Sequence, residues 1–235
     1  YQNVGDPLIN AKFEAAWGTD LNTEAGLTAT EMIDGGLTGA IRGMYVVGEN
    51  PMMSEPNEAH TREAIEALEF LVVQDIFINE TGVMADVILP AVSFAEKDGT
   101  FTNSDRRVQR VRKAVPPVGQ ARPDWDIVAD LGRRVATRLG ITMNAGFDYT
   151  SAEEIWDEMR ELTPDIFGID YARLEREGGV HWPCPSFDHP GTPFLFADEF
   201  PSGRGKFWPL DYKMESELPD EEYPFNLSTG RVLYH

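Results

Sequence analysis

Four short stretches carry side chains suited to holding a charged, ring-bearing ligand. Gly48-Glu49-Asn50-Pro51 follows an apolar run and joins a flexible glycine to an amide and a proline. In open α/β sheets ligands gather where strands end, and a glycine there lets the backbone approach a phosphate or a ring. The same four residues also make an ordinary turn. Gln74-Asp75 closes a second apolar run. An acid at that place can accept from ribose hydroxyls, or it can cap the turn that follows, and spacing does not choose between them. Lys97 opens a basic stretch completed by Arg106, Arg107, Arg110, Arg112 and Lys113, within a chain of formal charge -20. A polyanion bound to so acidic a protein needs such a local reversal of field, with charge-assisted hydrogen bonds of roughly 1.5–3 kcal/mol each. The plain alternative is a solvated hairpin that offsets nearby acids, and it suits the arginines better than Lys97. Asp124 stands just ahead of an amphipathic run. It reads either as a helix N-cap, contributing about 1 kcal/mol, or as a carboxylate that accepts from two ring donors of a guanine.

Other reactive residue types are scattered. His60, His181 and His189 lack ligand spacing, and Cys184 lies between two prolines as a packed thiol. A single cysteine excludes an internal disulfide framework and a cysteine-only metal cluster within these residues. No GxGxxG run is present, so a dinucleotide site of the NAD type is not supported, and no nucleophile–base pair stands out.

The elements that must position these groups are legible from periodicity. Helices are expected over Ala11–Trp17, Thr28–Ile33, Glu58–Leu68, Trp125–Leu139 and Ala152–Leu162, the last capped by Thr150 or Ser151. Met44–Val47, Phe70–Val73 and Val87–Leu89 are short runs, apolar throughout, that end in Gly48, Gln74-Asp75 and Pro90. Such strands alternating with helices predict a parallel sheet covered on both faces, the Rossmann-like doubly wound α/β class. From residue 180 to 225 prolines, glycines and aromatics follow one another with little period, which predicts an irregular surface connector. Phe225-Asn226-Leu227-Ser228 alternates like the first strand of another domain.

Forty acidic residues face twenty basic ones, only five of them lysines. A surface this negative excludes nucleic acid and anionic membrane as partners, since both need clustered positive charge. It points to a soluble protein, with adaptation to a salt-rich cytosol as the sharper reading. No apolar stretch approaches the roughly 20 residues of a transmembrane span. The chain begins at Tyr1 and stops at His235 in mid-pattern, so it reads as a fragment of a longer protein.

Taken together, the blocks GMYVVGENPMMSEP, LEFLVVQDIFINET, ADVILPAVSFAEKDGTFTNSDRRVQRVRKAV, RPDWDI, EEIWDEMRELTP, HWPCP, HPGTPFLF and FNLSTGRVLYH resemble successive segments of the formate dehydrogenase alpha subunit, a molybdopterin oxidoreductase. They keep that family's order along nearly the whole chain, and the run from Asp86 to Arg112 is the most specific.

The resemblance implies a division into residues 1–178, an α/β unit (the family's third domain) that holds one molybdopterin guanine dinucleotide, 179–222, the connector, and 223–235, the start of a double-psi β-barrel. Carried over position by position, it places Asn50 and Ser54 beside the cofactor, Gln74 and Asp75 on its nucleotide, Lys97 on its phosphates or pterin, and Asp124 on guanine. Ser228, Thr229, Gly230, Arg231, Tyr234 and His235 would reach the pterin from the barrel. The implied cofactor is molybdenum or tungsten bound by two such dinucleotides. A [4Fe-4S] cluster and the Cys or selenocysteine metal ligand would lie in upstream sequence, so no catalytic residue or metal ligand is expected here and the fragment is not expected to act alone. Formate or a similar small anion is the implied substrate, and an iron–sulfur or NAD-reducing electron-transfer subunit the implied partner, in the cytoplasm. An assimilatory nitrate reductase, or a non-catalytic scaffold or electron-transfer relative, is the alternative.

Overall fold

The computed structural model describes residues 2–142, 147–200, 202–215 and 218–227. Two helices lead in. In α1 (Pro7–Trp17) Asp6 caps the free amides of Leu8 and Ile9, and Pro7 stands in the first turn, where its missing N–H costs nothing. In α2 (Ala29–Thr38) Thr28 and Glu31 cap each other's backbone amides reciprocally.

The first sheet has the parallel order β1 (Gly43–Val47), β2 (Phe70–Asp75), β3 (Val87–Pro90). The crossovers carry α3 (Pro51–Ser54) and α4 (Glu58–Glu66), then α5 (Glu80–Val83). Register puts Val47 opposite Gln74 and Gln74 opposite Leu89, so all three strands end along one edge. Alternate residues Val46, Leu71 and Val73 face inward and pack with Met52 and Ile65 into one core cluster.

The opposite face corrects the expectation of a sheet buried on both sides. Tyr45, Val47 and Phe70, which share that face by register, remain 37–50% exposed. The strand order β1-β2-β3 holds no reversal, so these strands do not by themselves make the doubly wound sheet that was expected. The physical reason is the right-handedness of parallel crossovers. Two successive steps in one direction deliver their helices to the same face, and strands apolar on both faces still need cover on the other.

A second sheet follows. A 3₁₀ turn (Phe94–Glu96) leads into β4 (Gly99–Thr102) and β5 (Arg107–Val111), an antiparallel hairpin. Then come α6 (Asp124–Leu139), stopped by the left-handed Gly140, α7 (Ala152–Leu162), capped by Ser151, and α8 (Tyr171–Glu177). β6 (Val180–His181) returns to pair with β5. The first residues of the stretch expected as an irregular connector therefore belong to this sheet. Val108, Trp156, Ile169, Leu174, Val180 and Cys184 form its core. The indole of Trp156 donates to the Ile169 carbonyl at 2.6 Å.

Beyond β6 the described residues hold no further helix or strand, only a single bridge between Phe200 and Gly203. Phe225 and Leu227, expected to open a barrel, form no strand and lie 88% and 91% exposed. A lone strand cannot satisfy its own amides and carbonyls without a neighbour. Ser228, Thr229, Gly230, Arg231, Tyr234 and His235 lie outside the described residues. Among the described residues no helix is long and apolar enough to cross a membrane.

Candidate functional site

The carboxyl edge of the parallel sheet gathers most of the residues singled out by type. Gln74, on the central strand, is fully buried and donates through Nε2 to Oδ1 of Asp124 at 2.8 Å. Lys97 donates to the other oxygen, Oδ2, at 2.6 Å. The hydroxyl of Tyr45 donates to Oε1 of Gln74. Four side chains from four separate segments thus form hydrogen bonds that converge on Asp124, from Tyr45 through Gln74 on one side and from Lys97 on the other.

Local sequence explains how each member is held. Lys97 follows the 3₁₀ turn in which Ser93 and Glu96 cap each other, and Glu96 also accepts from the Val118 amide at 2.8 Å. Arg122 bonds to the end of β3 through its amide and the Pro90 carbonyl at 3.1 Å, which brings α6 to the sheet edge. Its guanidinium then grips Asp126 at 2.8 Å and Asp130 at 3.2 Å along α6. Asp124 is the first residue of α6, and Pro123, which has no side-chain cap bond, precedes it. The N-cap reading is thereby corrected. Pro123 occupies the cap position, and the Asp124 carboxylate turns to Gln74 and Lys97 instead. The N-terminal end of the helix dipole favours a negative charge there. Partial burial pushes the Asp124 carboxyl upward, but hydrogen bonds from Lys97 and Gln74 outweigh it and leave the group below its ordinary range.

The remaining predicted residues lie along the same edge but are turned to other tasks. Asn50 accepts from the amide and hydroxyl of Thr81 at 3.2 and 2.7 Å and donates to Glu80 at 2.7 Å, tying the end of β1 to α5. Asp75 folds onto its own turn, accepting from the amides of Ile76 and Phe77 and from Asn79. Ser54 ends α3 and is exposed. Gly48 has a φ of 63°, and open space lies where a Cβ would stand, so backbone is accessible at the end of β1.

The basic stretch divides. Arg110 and Arg112 both pair with Glu175, and Arg106 donates to the carbonyls of Trp182, Thr192 and Pro193. His181 faces Asp105 at 3.2 Å, and His60 faces Asp34 at 2.8 Å. Lys97 is the member of the stretch turned toward the sheet edge. Beside its pair with Asp124 opens a mostly apolar cleft of about 270 Å³, lined by Phe101, Trp125, Ile155 and Met159 among others.

Sequence reasoning missed Tyr45. Its place in an apolar strand reads as core, and only the strand register reveals that its hydroxyl can reach Gln74.

The Asp124–Lys97 pair thus lies at the carboxyl edge of a parallel sheet with a cleft beside it, the place where ligand sites of open α/β sheets are commonly found. Residues 5–134 match the molybdopterin oxidoreductase family, and the chain belongs to that family. It is 48% identical, over its whole length, to the F420-dependent formate dehydrogenase subunit alpha of Methanocaldococcus jannaschii, covering 34% of that protein. It is 40% identical to the assimilatory nitrate reductase catalytic subunit of Bacillus subtilis, again over its whole length and 34% of the relative. The chain thus spans about a third of the length of these curated relatives. Its fold is similar to that of acetylene hydratase from Pelobacter acetylenicus, with a TM-score of 0.54 over 77% of this chain and 25% of that one, at 17% identity.

Proposed function

We propose that this chain is the guanine-nucleotide-holding part of a molybdenum or tungsten bis-molybdopterin guanine dinucleotide enzyme of the formate dehydrogenase type. The observation that carries the reading is the Gln74–Asp124–Lys97 constellation at the strand ends. Its donor set suits the ligand. A carboxylate 36% exposed offers unshared lone pairs to ring N–H donors, Lys97 supplies positive charge, and Gly48 leaves room for close approach of a phosphate. Asp124 would hold guanine, and Lys97 would steady Asp124 and face the phosphates. Asn50, Ser54, Gln74 and Asp75 would shape the edge on which the nucleotide lies.

When bound, the metal–pterin group supplies two-electron chemistry, by which formate gives up a proton and two electrons to become carbon dioxide. The residues of this chain bind and orient that group and exclude water from its nucleotide end, as proteins do for cofactors that carry the hard chemistry. The metal ligand and a [4Fe-4S] cluster belong to the remainder of the polypeptide in this reading, and electrons pass on to an iron–sulfur or NAD-reducing subunit in the cytoplasm. In this reading the α/β unit runs past residue 178 to include β6, and the connector follows it. The acidic surface suits a salt-rich cytosol, with stability expected to rise toward molar KCl.

Reduction of nitrate is the second reading, favoured by the 40% identity to a nitrate reductase subunit over the same span. Metal and nucleotide analysis of the full-length protein tests the proposal. Molybdenum or tungsten with acid-released GMP is expected, and Asp124→Ala should lower the GMP recovered. A full-length protein without either metal overturns the reading. Formate-dependent against nitrate-dependent turnover of a dye separates the two substrates.

A further inference from the structure

We infer that Tyr45 and Gln74 are positioning residues that hold Asp124 as a paired acceptor, so that the site selects a base offering two adjacent N–H donors over one offering a donor beside an acceptor. The inference rests on the reading of Asp124 as the base-recognising carboxylate. The directions of the bonds are what carry it.

An ionised carboxylate can only accept, so Gln74 must present Nε2, not Oε1, to Asp124. That leaves Oε1 on the other side of a side chain that is 0% exposed, where a buried acceptor without a donor is costly. The donor is the Tyr45 hydroxyl. Tyr45 stands opposite Val72, one same-face step before the Val47–Gln74 pair, so its ring reaches Gln74 diagonally across the strands. Burial first, and the charge of Asp124 second, push the Tyr45 hydroxyl above its ordinary range, so it stays protonated and keeps donating.

The consequence falls on Asp124. Gln74 donates to Oδ1 and Lys97 to Oδ2, and at 36% exposure the carboxylate keeps accepting capacity turned to solvent. Two acceptors side by side match the N1–H and N2–H of guanine. Adenine and cytosine set a ring-nitrogen acceptor beside their amine and would face one oxygen with a like charge. Without the Tyr45 hydroxyl, Oε1 of Gln74 has lost its donor, the amide is free to turn, and the carboxylate loses its fixed aim.

The test is binding of GMP and IMP to the cofactor-free full-length protein by calorimetry, since IMP differs from GMP by the single missing amine. Wild type is expected to prefer GMP by about tenfold, the loss of one charge-assisted hydrogen bond. Tyr45→Phe, which keeps the ring and its packing, should bring the GMP:IMP ratio toward unity, and Gln74→Leu should do the same. A Tyr45→Phe protein with the wild-type ratio overturns the inference, including the case in which both nucleotides weaken together, which marks a purely structural role. Asp124→Ala distinguishes the underlying reading. If it leaves the ratio intact, or if wild type binds GMP no better than AMP, Asp124 is not the base-recognising group and both statements fall.

Discussion

Two basic side chains, one in each half of the fold, show what burial does to a charge. Arg173, in the antiparallel half, is 5% exposed and donates to the carbonyls of Gly168, Phe187 and His189, to the Cys184 sulfur and to Glu177. Lys97, at the edge of the parallel half, makes one pair, with Asp124, and both side chains stay partly open at 25% and 36%. The first region has closed around its cation. Around it Val108, Ile169 and Cys184 are wholly buried. The second keeps acceptors and a cleft in reach of solvent, and one face of its sheet stays half-covered. A charge that organises the fold has its bonds satisfied within the protein, whereas one that meets a ligand must keep some of its bonding capacity free.

Removing Arg173 should therefore give the largest loss of stability. Arg173→Met takes the guanidinium from the carbonyls of Gly168, Phe187 and His189 and leaves Glu177 to Arg176, at about 1–3 kcal/mol for each buried acceptor left unmet. Amide exchange over α8 and residues 180–189 in the full-length protein would read it as lost protection, with the parallel sheet little changed. Equal loss across both sheets would mean that the two halves open as one unit. Leu174→Ala, a cavity beside the same hub, should cost about 2–5 kcal/mol by the same measure.

The comparison also marks where the sequence could be read and where it could not. Gln74, Lys97 and Asp124 stand out by type at the ends of periodic runs, and the fold does bring them together. The helices over 124–139 and 152–162 follow from apolar spacing and caps. Arg173 does not announce itself, because three of its partners are backbone carbonyls, Gly168 just before α8 and Phe187 and His189 in the loop after β6. β6 has two residues, and only pairing with Arg107 and Val108 makes it a strand. The parallel strands, apolar on both faces, read as doubly covered. Apolarity states that cover is needed but not which chain segment supplies it. Asn50 ties the end of β1 to α5 and Asp75 ties its own turn, uses that residue type at a strand end does not distinguish from meeting a ligand.

At the open edge the expected effects are on binding and its pH dependence. Because Asp124 sits below its ordinary range, it stays ionised where an unperturbed aspartate already begins to take up a proton. Its contribution to folding stability is accordingly present above the unfolded value and lost as the pH falls through the lower folded value. Guanosine, which carries no titrating phosphate, should then bind the cofactor-free full-length protein without loss at the pH where an unperturbed aspartate begins to protonate. Lys97→Met removes the largest of the hydrogen bonds that offset burial, together with the attraction of its charge, so the loss should begin at a higher pH. An unchanged onset would show that Lys97 does not hold the Asp124 charge.

The smallest effect is expected where charges pair in the open. Glu175 bridges Arg110 and Arg112, and at 47% side-chain exposure it is well solvated. Its carboxyl is held low by Arg112 first and Arg110 second, yet exposed pairs of this kind are screened by salt and contribute little. Arg110 also lies over the Tyr171 ring at 3.6 Å and donates to the Gly99 carbonyl, contacts that survive the loss of the acid. Glu175→Gln should thus leave the exchange protection of β4 and β5 nearly unchanged, with any difference from wild type vanishing as salt is raised. A salt-resistant loss comparable to that of Arg173→Met would mean that the arginines of β5 depend on Glu175 as strongly as α8 depends on its buried cation, and the distinction between closed and open charge would not hold on this side of the molecule.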